Sequence, residues 1–399
     1  MIPRIRQIQI QNYKSIERAV VDLEPFTVFV GPNGAGKSNF GDALMFVQEC
    51  LSQSLERATA ERGGVSVVSR THTNGQDQPR LGFRLLVDLA EDRLADYSFE
   101  ISWENQPQVA RERCLIRTRD GEGWTFEVVD GSFTHPIPGI RAQVSPGRFA
   151  LYAASAAEEF RPLYDFLTSL RLYNIEPRRL RINQGPYPAD YLQKDGGNAA
   201  EVLKRLEKAC PRNHEQVREL LAVALPGLES VEYYNPFPGS DGGIKFELNV
   251  GGEKPVTFFE REVSDGTLRI LGLLLAIYQP KRSSVLIVEE PEVTVHPAIE
   301  ELIVQVLFAA AYDRQVLITT HSPDVLDAKE FDDNQIRVVT MEQGKTTIAP
   351  LSKSSREAIR ERLYTPGELL RIDELNQDLN AAHEAAQHLD LFPATSGSP

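Results

Sequence analysis

With 399 residues, 41% of them hydrophobic and 25% charged, the chain has ordinary globular composition and enough length for a large core or two domains. A formal net charge of −14 excludes a protein that lives by non-specific nucleic-acid contact alone, so any such surface must be a local patch on an acidic body. Cys50, Cys114 and Cys210 lie too far apart for a disulfide framework or a Cys-x-x-Cys metal pair, which points to a reducing cytoplasm, and neither a signal peptide nor a membrane span is expected.

Residues 4–23 alternate, with Ile5, Ile8 and Ile10 and then Val20, Val21 and Leu23 on one pattern, and read as two strands joined through Asn12–Ser15. Phe26–Val30 reads as a short buried strand. The next eight residues, Gly31, Pro32, Asn33, Gly34, Ala35, Gly36, Lys37 and Ser38, fit G-x-x-x-x-G-K-[ST]. From Asn39 to Leu55 apolar residues recur at helical spacing: Phe40, Leu44, Val47 and Leu51. A phosphate-binding loop needs this strand-loop-helix setting. Its glycines let the backbone turn tightly and aim N–H groups inward, and the helix N-terminus adds partial positive charge. In that chemistry Lys37 reaches the β- and γ-phosphates of ATP, Ser38 offers its hydroxyl to Mg²⁺, and Asn39 flanks the loop.

Glu56–Pro79 is polar and turn-rich and reads as a mobile loop. Four strand-like runs follow, Leu81–Asp88, Tyr97–Trp103, Arg111–Thr118 and Trp124–Val129, forming an antiparallel lobe. Residues 150–172 look helical and Leu172–Ile175 strand-like. Pro177–Arg181 is a basic cluster, to be read either as a solvated face or as a phosphate or nucleic-acid contact; Arg111–Arg119 is a second candidate patch. Helices are expected at Asn198–Ala209 and His214–Leu225, strands at Ser230–Tyr234, Ile244–Val250 and Pro255–Phe259, and polar helices at Ser352–Leu363 and Glu368–His388 before a weakly ordered tail.

The second chemical motif is Ser284–Glu292. Four apolar residues make a buried parallel strand, and Glu289 and Glu290 project at its C-terminal end, where ligands bind in open α/β sheets. Successive strand side chains face opposite ways, so Glu289 can serve Mg²⁺ while Glu290, just past the strand, polarises a water against the γ-phosphate. Gln315–Pro323 is another buried strand ending in His321. A lone His is more often structural, but this one sits at the same sheet end. Ser264, Asp265 and Gly266 precede an almost wholly apolar helix, Thr267–Tyr278; they read either as caps alone or as groups that meet a phosphate at that helix N-terminus.

The order of these motifs resembles the ABC-type ATPase heads of the SMC, RecF and OLD-like group, and looks closest to the stand-alone AAA-type ATP-binding proteins of bacterial genome-defence and repair operons. The opening Ile8–Ile16 is similar to that group as well, and the resemblance covers roughly residues 1–345. It implies an α/β fold: a P-loop NTPase with an ABC-type head, a mixed central sheet with helices, an antiparallel β lobe at about 80–135 and a helical insert at about 190–227. Residues 346–399 would form a C-terminal helical extension and tail. It also implies that Gly31–Ser38 is Walker A, Ser264–Gly266 the signature motif, Glu289 and Glu290 the Walker B pair with Glu290 catalytic, Pro291–Pro297 the D-loop, and His321 the switch histidine. Three departures stand out: Glu289 replaces the usual Asp, Ser-Asp-Gly replaces Ser-Gly-Gly, and the Q-loop glutamine is not fixed among Gln76, Gln143 and Gln184.

The resemblance further implies a homodimer closed head to tail around two Mg-ATP, opened by hydrolysis, that engages DNA or a separately encoded effector such as a nuclease. A RecF-like repair clamp without effector, or a slow-turnover nucleotide-dependent scaffold, are the alternatives.

Overall fold

The computed structural model describes residues 2–394 except 71–79, 104–105, 137–143, 183–188, 236, 238–241 and 329–330. A six-stranded sheet forms the centre. Its spatial order is Lys345–Pro350, Ile336–Glu342, Phe26–Val30, Gln315–Thr320, Val285–Glu289 and Arg171–Tyr173, all parallel to their neighbours except the edge strand 345–350. Phe26–Val30, Val285–Glu289 and Gln315–Thr320 are buried along their whole lengths, which is why they read as nearly unbroken apolar runs rather than alternating ones.

Strand alternation divides the interior in two. Phe29, Ile287, Leu317 and Val339 face one core, shared with the helix Lys37–Ser52 and a seven-stranded antiparallel sheet. Val28, Val288, Ile318 and Val338 face the other, shared with the helices Asp265–Tyr278 and Pro297–Ala310. The helix 265–278 is buried continuously from Thr267 to Ile277, as its lack of a polar face requires. Helices Ala199–Ala209 and Pro211–Ala224, and a three-stranded sheet of Leu228–Tyr234, Gly243–Leu248 and Val256–Phe259, flank that second core.

The antiparallel lobe is larger than its expected 80–135. Arg4–Tyr13 pairs on one side with Ile16–Asp22 and on the other with Leu81–Leu89, so the N-terminal hairpin belongs to the same sheet. A fifth lobe strand, Ser132–His135, pairs with Gly123–Val129. Four expectations are corrected. The stretch read as a mobile loop contains the helices Leu55–Ala60 and Val65–Val68, because Ser54 caps the first and Leu55, Ala58 and Val68 reach the core; its residues 71–79 lie outside the described residues. Residues 150–172 split into Ala150–Ala154 and Arg161–Thr168. The single helix expected at Glu368–His388 is two, Pro366–Arg371 and Leu379–Gln387. Asp373 adopts a left-handed φ of 59°, and the Asp378 N–H is drawn to the Pro350 carbonyl at 2.9 Å. Residues 389–393 of the tail are docked on the seven-stranded sheet, with Leu389 and Leu391 buried. The hairpin 336–350 and the helix 297–310 were not anticipated.

Glu112 is fully buried in the lobe core. Its carboxylate accepts from Tyr97 Oη at 2.9 Å and from the Ala150 and Leu151 N–H groups at 2.5 and 2.9 Å, so it caps the N-terminus of the helix 150–154. Burial outweighs those three donors and pushes its carboxyl up to about 7. The folded state therefore binds this proton more tightly than the unfolded chain, and the resulting stability is lost as pH rises from about 4.5 through 7. The wild type is expected to lose on the order of 3 kcal/mol more than Glu112→Gln between pH 4 and pH 8. Urea denaturation at the two pH values reads that difference.

Candidate functional site

The phosphate-loop strand 26–30 lies beside Gln315–Thr320, with Val30 opposite Thr320, and the next strand places Glu289 opposite Thr319. The loop 31–36, Glu289–Glu290 and His321 thus leave the sheet at one edge, the C-terminal ends of its parallel strands. Gly34 and Gly36 adopt left-handed φ values of 79° and 101°, and Gly36 ends the loop as the N-cap of the helix 37–52. A Cβ at Gly31 would lie 2.0 Å from the Val339 carbonyl oxygen, and one at Gly36 would lie 2.1 Å from Thr346 Oγ1. The glycines are therefore fixed both by backbone angle and by the hairpin 336–350 packed against the loop.

Pro32, Asn33 and Gly34 are exposed at the loop's rim, Ala35 is buried under it, and Ser38 is exposed in the first helical turn. Lys37 is only 5% exposed. Its Nζ donates to the Gly31 and Pro32 carbonyls at 2.7 and 3.2 Å and stands 4.0 Å from Glu290 Oε1. Burial pulls its ammonium below the ordinary lysine value, with Glu290, Glu292 and Glu289 opposing the shift.

Asn39 turns away from the loop's mouth. Its amide donates to Ser15 Oγ at 2.6 Å, Ser15 Oγ pairs with Thr346 Oγ1 at 2.7 Å, and Thr346 Oγ1 donates to the Ala35 carbonyl at 2.9 Å. This chain ties the loop to the turn at Lys14-Ser15. Beside it, Tyr13 Oη donates to Asp42 at 2.6 Å and Lys14 pairs with the same carboxylate at 2.5 Å. The Asn-Tyr-Lys-Ser segment is thus a brace for the phosphate loop and its helix. Sequence showed the segment but not Thr346, which comes from a hairpin strand 331 residues from Ser15 in the chain.

Glu289 is 6% exposed at the end of its strand, whereas Glu290 takes a left-handed φ of 45° just beyond it. That turn costs on the order of 1–3 kcal/mol for a non-glycine residue and is held from both sides. The Glu290 N–H donates to the Thr319 carbonyl at 2.9 Å, and Arg269 Nη2 donates to the Glu290 carbonyl at 2.6 Å. His321 Nδ1 lies 3.6 Å from Glu290 Oε1 and 3.7 Å from Glu292 Oε1. Lys37, Glu290 and His321 are thereby brought together.

Two members of this cluster were missed. Glu292, 7% exposed, accepts at Oε1 from Thr320 Oγ1 at 2.6 Å and from the His321 N–H at 3.3 Å, while its Oε2 is buried with no hydrogen-bond partner among the described residues. Its place in Glu-Glu-Pro-Glu was visible, but a third acid after a proline has no strand periodicity to orient it. Arg269, 5% exposed, also donates to the Ile175 carbonyl at 2.7 Å; burial lowers its pKa, with Glu292 and Glu290 opposing. A lone charge inside an apolar helix was the available signal.

Ser264 caps the helix 265–278, its Oγ accepting from the Thr267 N–H at 3.1 Å. Asp265 pairs with Arg181, which also donates to the Val263 carbonyl at 2.8 Å. A Cβ at Gly266 would lie 2.9 Å from the Thr294 carbonyl oxygen, so this corner packs against the turn that follows Glu290. Among the described residues no hydrogen bond or ion pair joins Ser264, Asp265 or Gly266 to the loop 31–39. Gln76, Gln143 and Gln184 lie outside the described residues. The basic runs are largely neutralised: Arg179 pairs with Asp195, Arg181 with Asp265, Arg111 with Glu127 and Arg119 with Asp92. Arg178 and Arg117 are exposed.

The donor set suits ATP and Mg²⁺. The loop offers a glycine cradle, a helix N-terminus and a buried ammonium, and the edge adds the Ser38 hydroxyl and two carboxylates. Mg²⁺ is usually held by one or two protein groups together with phosphates and water. Among the described residues no helix is long and apolar enough to cross a membrane.

The family model "AAA domain, putative AbiEii toxin, Type IV TA system" matches residues 26–327. The Old nuclease of Escherichia phage P2 is 23% identical over 390 residues, covering 90% of this chain and 63% of that protein. The chromosome partition protein Smc of Methanocaldococcus jannaschii is 37% identical over 73 residues, covering 18% of this chain and 6% of that protein. The chain thus spans less than two thirds of the length of these curated relatives. A solved Smc head, bound to the C-winged helix domain of ScpA, superimposes with a TM-score of 0.52 at 16% identity and covers 88% of this chain and 98% of that one; the two share the ABC-type head fold.

Proposed function

Given that the chain belongs to the AAA-domain family with the AbiEii, type IV TA description, and so to the SMC/OLD-like ABC-type ATPases, we propose that it is an ATP-hydrolysing switch. The reading rests on one observation: Lys37, Glu290, Glu292 and His321 meet at the sheet edge where the phosphate loop emerges, with Glu290 4.0 Å from Lys37 and 3.6 Å from His321.

In this reading Gly31–Gly36 wrap the phosphates with backbone N–H groups, and Lys37 leaves its own loop carbonyls to pair with the β- and γ-phosphate oxygens. Ser38 and Glu289 hold Mg²⁺, which when bound neutralises phosphate charge. Glu290 takes the proton of the attacking water; its left-handed backbone, pinned by Arg269 and Thr319, aims the carboxylate out of the sheet toward Lys37. His321 contacts the γ-phosphate, and Glu292 positions it through the backbone N–H and Thr320. Among the described residues Ser264–Gly266 have no hydrogen bond or ion pair to their own phosphate loop, which suits a role across a head-to-tail homodimer, each signature helix facing the ATP of the other copy.

The neutralised arginine runs favour control of a separately encoded effector, such as a nuclease, over direct gripping of DNA. The Old nuclease relationship, over less than two thirds of that protein's length, supports a partner of this kind, with a role in genome defence or repair. ATP turnover is therefore expected to change by less than about twofold when duplex DNA is added at moderate salt. A phosphate-release assay with and without duplex DNA checks this, and strong stimulation would shift the reading to a RecF-like clamp.

A further inference from the structure

The outer face of the seven-stranded sheet carries a segment of the chain unrelated to the nucleotide site. Strand register lines up Gln9, Arg84, Ser98 and Arg113 in one row and Gln11, Gly82, Glu100 and Arg111 in the next, on the side facing away from the core. Residues 389–393 lie across these rows. Arg18 donates to the Leu389 carbonyl at 3.1 Å, Arg84 to that of Asp390 at 3.1 Å, and Arg113 to that of Pro393 at 2.8 Å. Leu391 fills the notch left by Gly82, where a Cβ would come within 2.1 Å of its Cδ1. The Phe392 ring stacks on guanidinium groups, 4.1 Å from Arg111 and 5.6 Å from Arg113. The Asp390 carboxylate accepts from the Phe392 N–H at 3.0 Å and shapes the turn between them.

We propose that this face is a peptide-docking groove, with Leu389–Pro393 as its resident ligand, exchangeable for an extended partner segment of the same chemistry: leucine, acid, leucine, aromatic, proline. The groove is built for such a peptide. It has one small-residue notch for a branched side chain, a guanidinium pair for an aromatic ring, and three arginines that read main-chain carbonyls at either end. The same features make the resident replaceable. Its hydrogen bonds to the groove run through carbonyls that any peptide carries. The helix Leu379–Gln387 that leads into it buries none of its residues. On the same face, Gln9 Oε1, Ser98 Oγ and Arg113 Nε are buried without a hydrogen-bond partner among the described residues, so the resident segment covers these polar groups without satisfying them. A partner bearing this pattern would lift the C-terminal segment and take its place, coupling the head to that partner whatever nucleotide it holds.

The test uses the full chain and a fluorescein-labelled synthetic peptide of residues 386–394. Leu391→Glu with Phe392→Glu is expected to free the groove; Phe392→Ala alone serves if the double variant fails to fold, as read by circular dichroism. Removing the tethered competitor should tighten peptide binding by anisotropy at least about tenfold relative to wild type. Adding Gly82→Val, which closes the notch, should abolish the gain, and a peptide with both leucines and the phenylalanine changed to aspartate should not bind. Peptide binding to a folded, released variant no tighter than to wild type, or binding that survives Gly82→Val, would overturn the proposal.

Discussion

Lys37→Ala is expected to weaken ATP binding at least about a hundredfold, read by fluorescent-nucleotide titration. Two charge-assisted hydrogen bonds to phosphate, at roughly 1.5–3 kcal/mol each, account for that loss. The melting temperature without nucleotide should change by no more than a few degrees. Burial lowers the Lys37 pKa more than the nearby Glu290, Glu292 and Glu289 raise it, so its charge is not kept there for folding. A residue kept for folding would behave the other way round, losing stability and sparing affinity. Retained ATP affinity together with a large fall in melting temperature would remove Lys37 from the site.

The second large effect belongs to Glu290. Glu290→Gln keeps the size and the backbone pinned by Arg269 but removes the base, and ATP turnover should fall by about 10²–10⁴-fold. ATP affinity should hold or rise, because Glu289 remains for Mg²⁺ and one repulsive charge near the γ-phosphate is gone. A variant hydrolysing ATP at near the wild-type rate would point to another base, with Glu292 the first candidate because its Oε2 is buried and unpartnered among the described residues.

Much of the site was legible because its chemistry is local. Gly31–Ser38 sits between a strand and a helix that sequence periodicity reveals, and both acids follow an apolar run. His321 was harder: only the register that sets Thr320 beside Val30 puts it at the same edge. The supporting roles were less legible. Arg269 stood out as a lone charge in an apolar helix and Glu292 lay in Glu-Glu-Pro-Glu, but the partners of these two and of Thr346 come from other segments of the chain, and no local pattern encodes such a meeting. For the fold, long apolar runs were readable and polar helices were not. Glu368–His388 has the composition of one helix, but Asp378 is recruited by Pro350 and breaks it in two. The tail reads as weakly ordered because its docking run, residues 389–393, is short, and its partners are arginines on a sheet whose outer face carries no hydrophobic alternation.

The central claim, a switch closed by ATP and opened by Glu290-driven hydrolysis, is tested most directly by mass in solution. Light scattering of Glu290→Gln with saturating Mg-ATP should report particles of two chains, and with Mg-ADP particles of one. The same variant remaining a single chain with ATP bound would contradict the account.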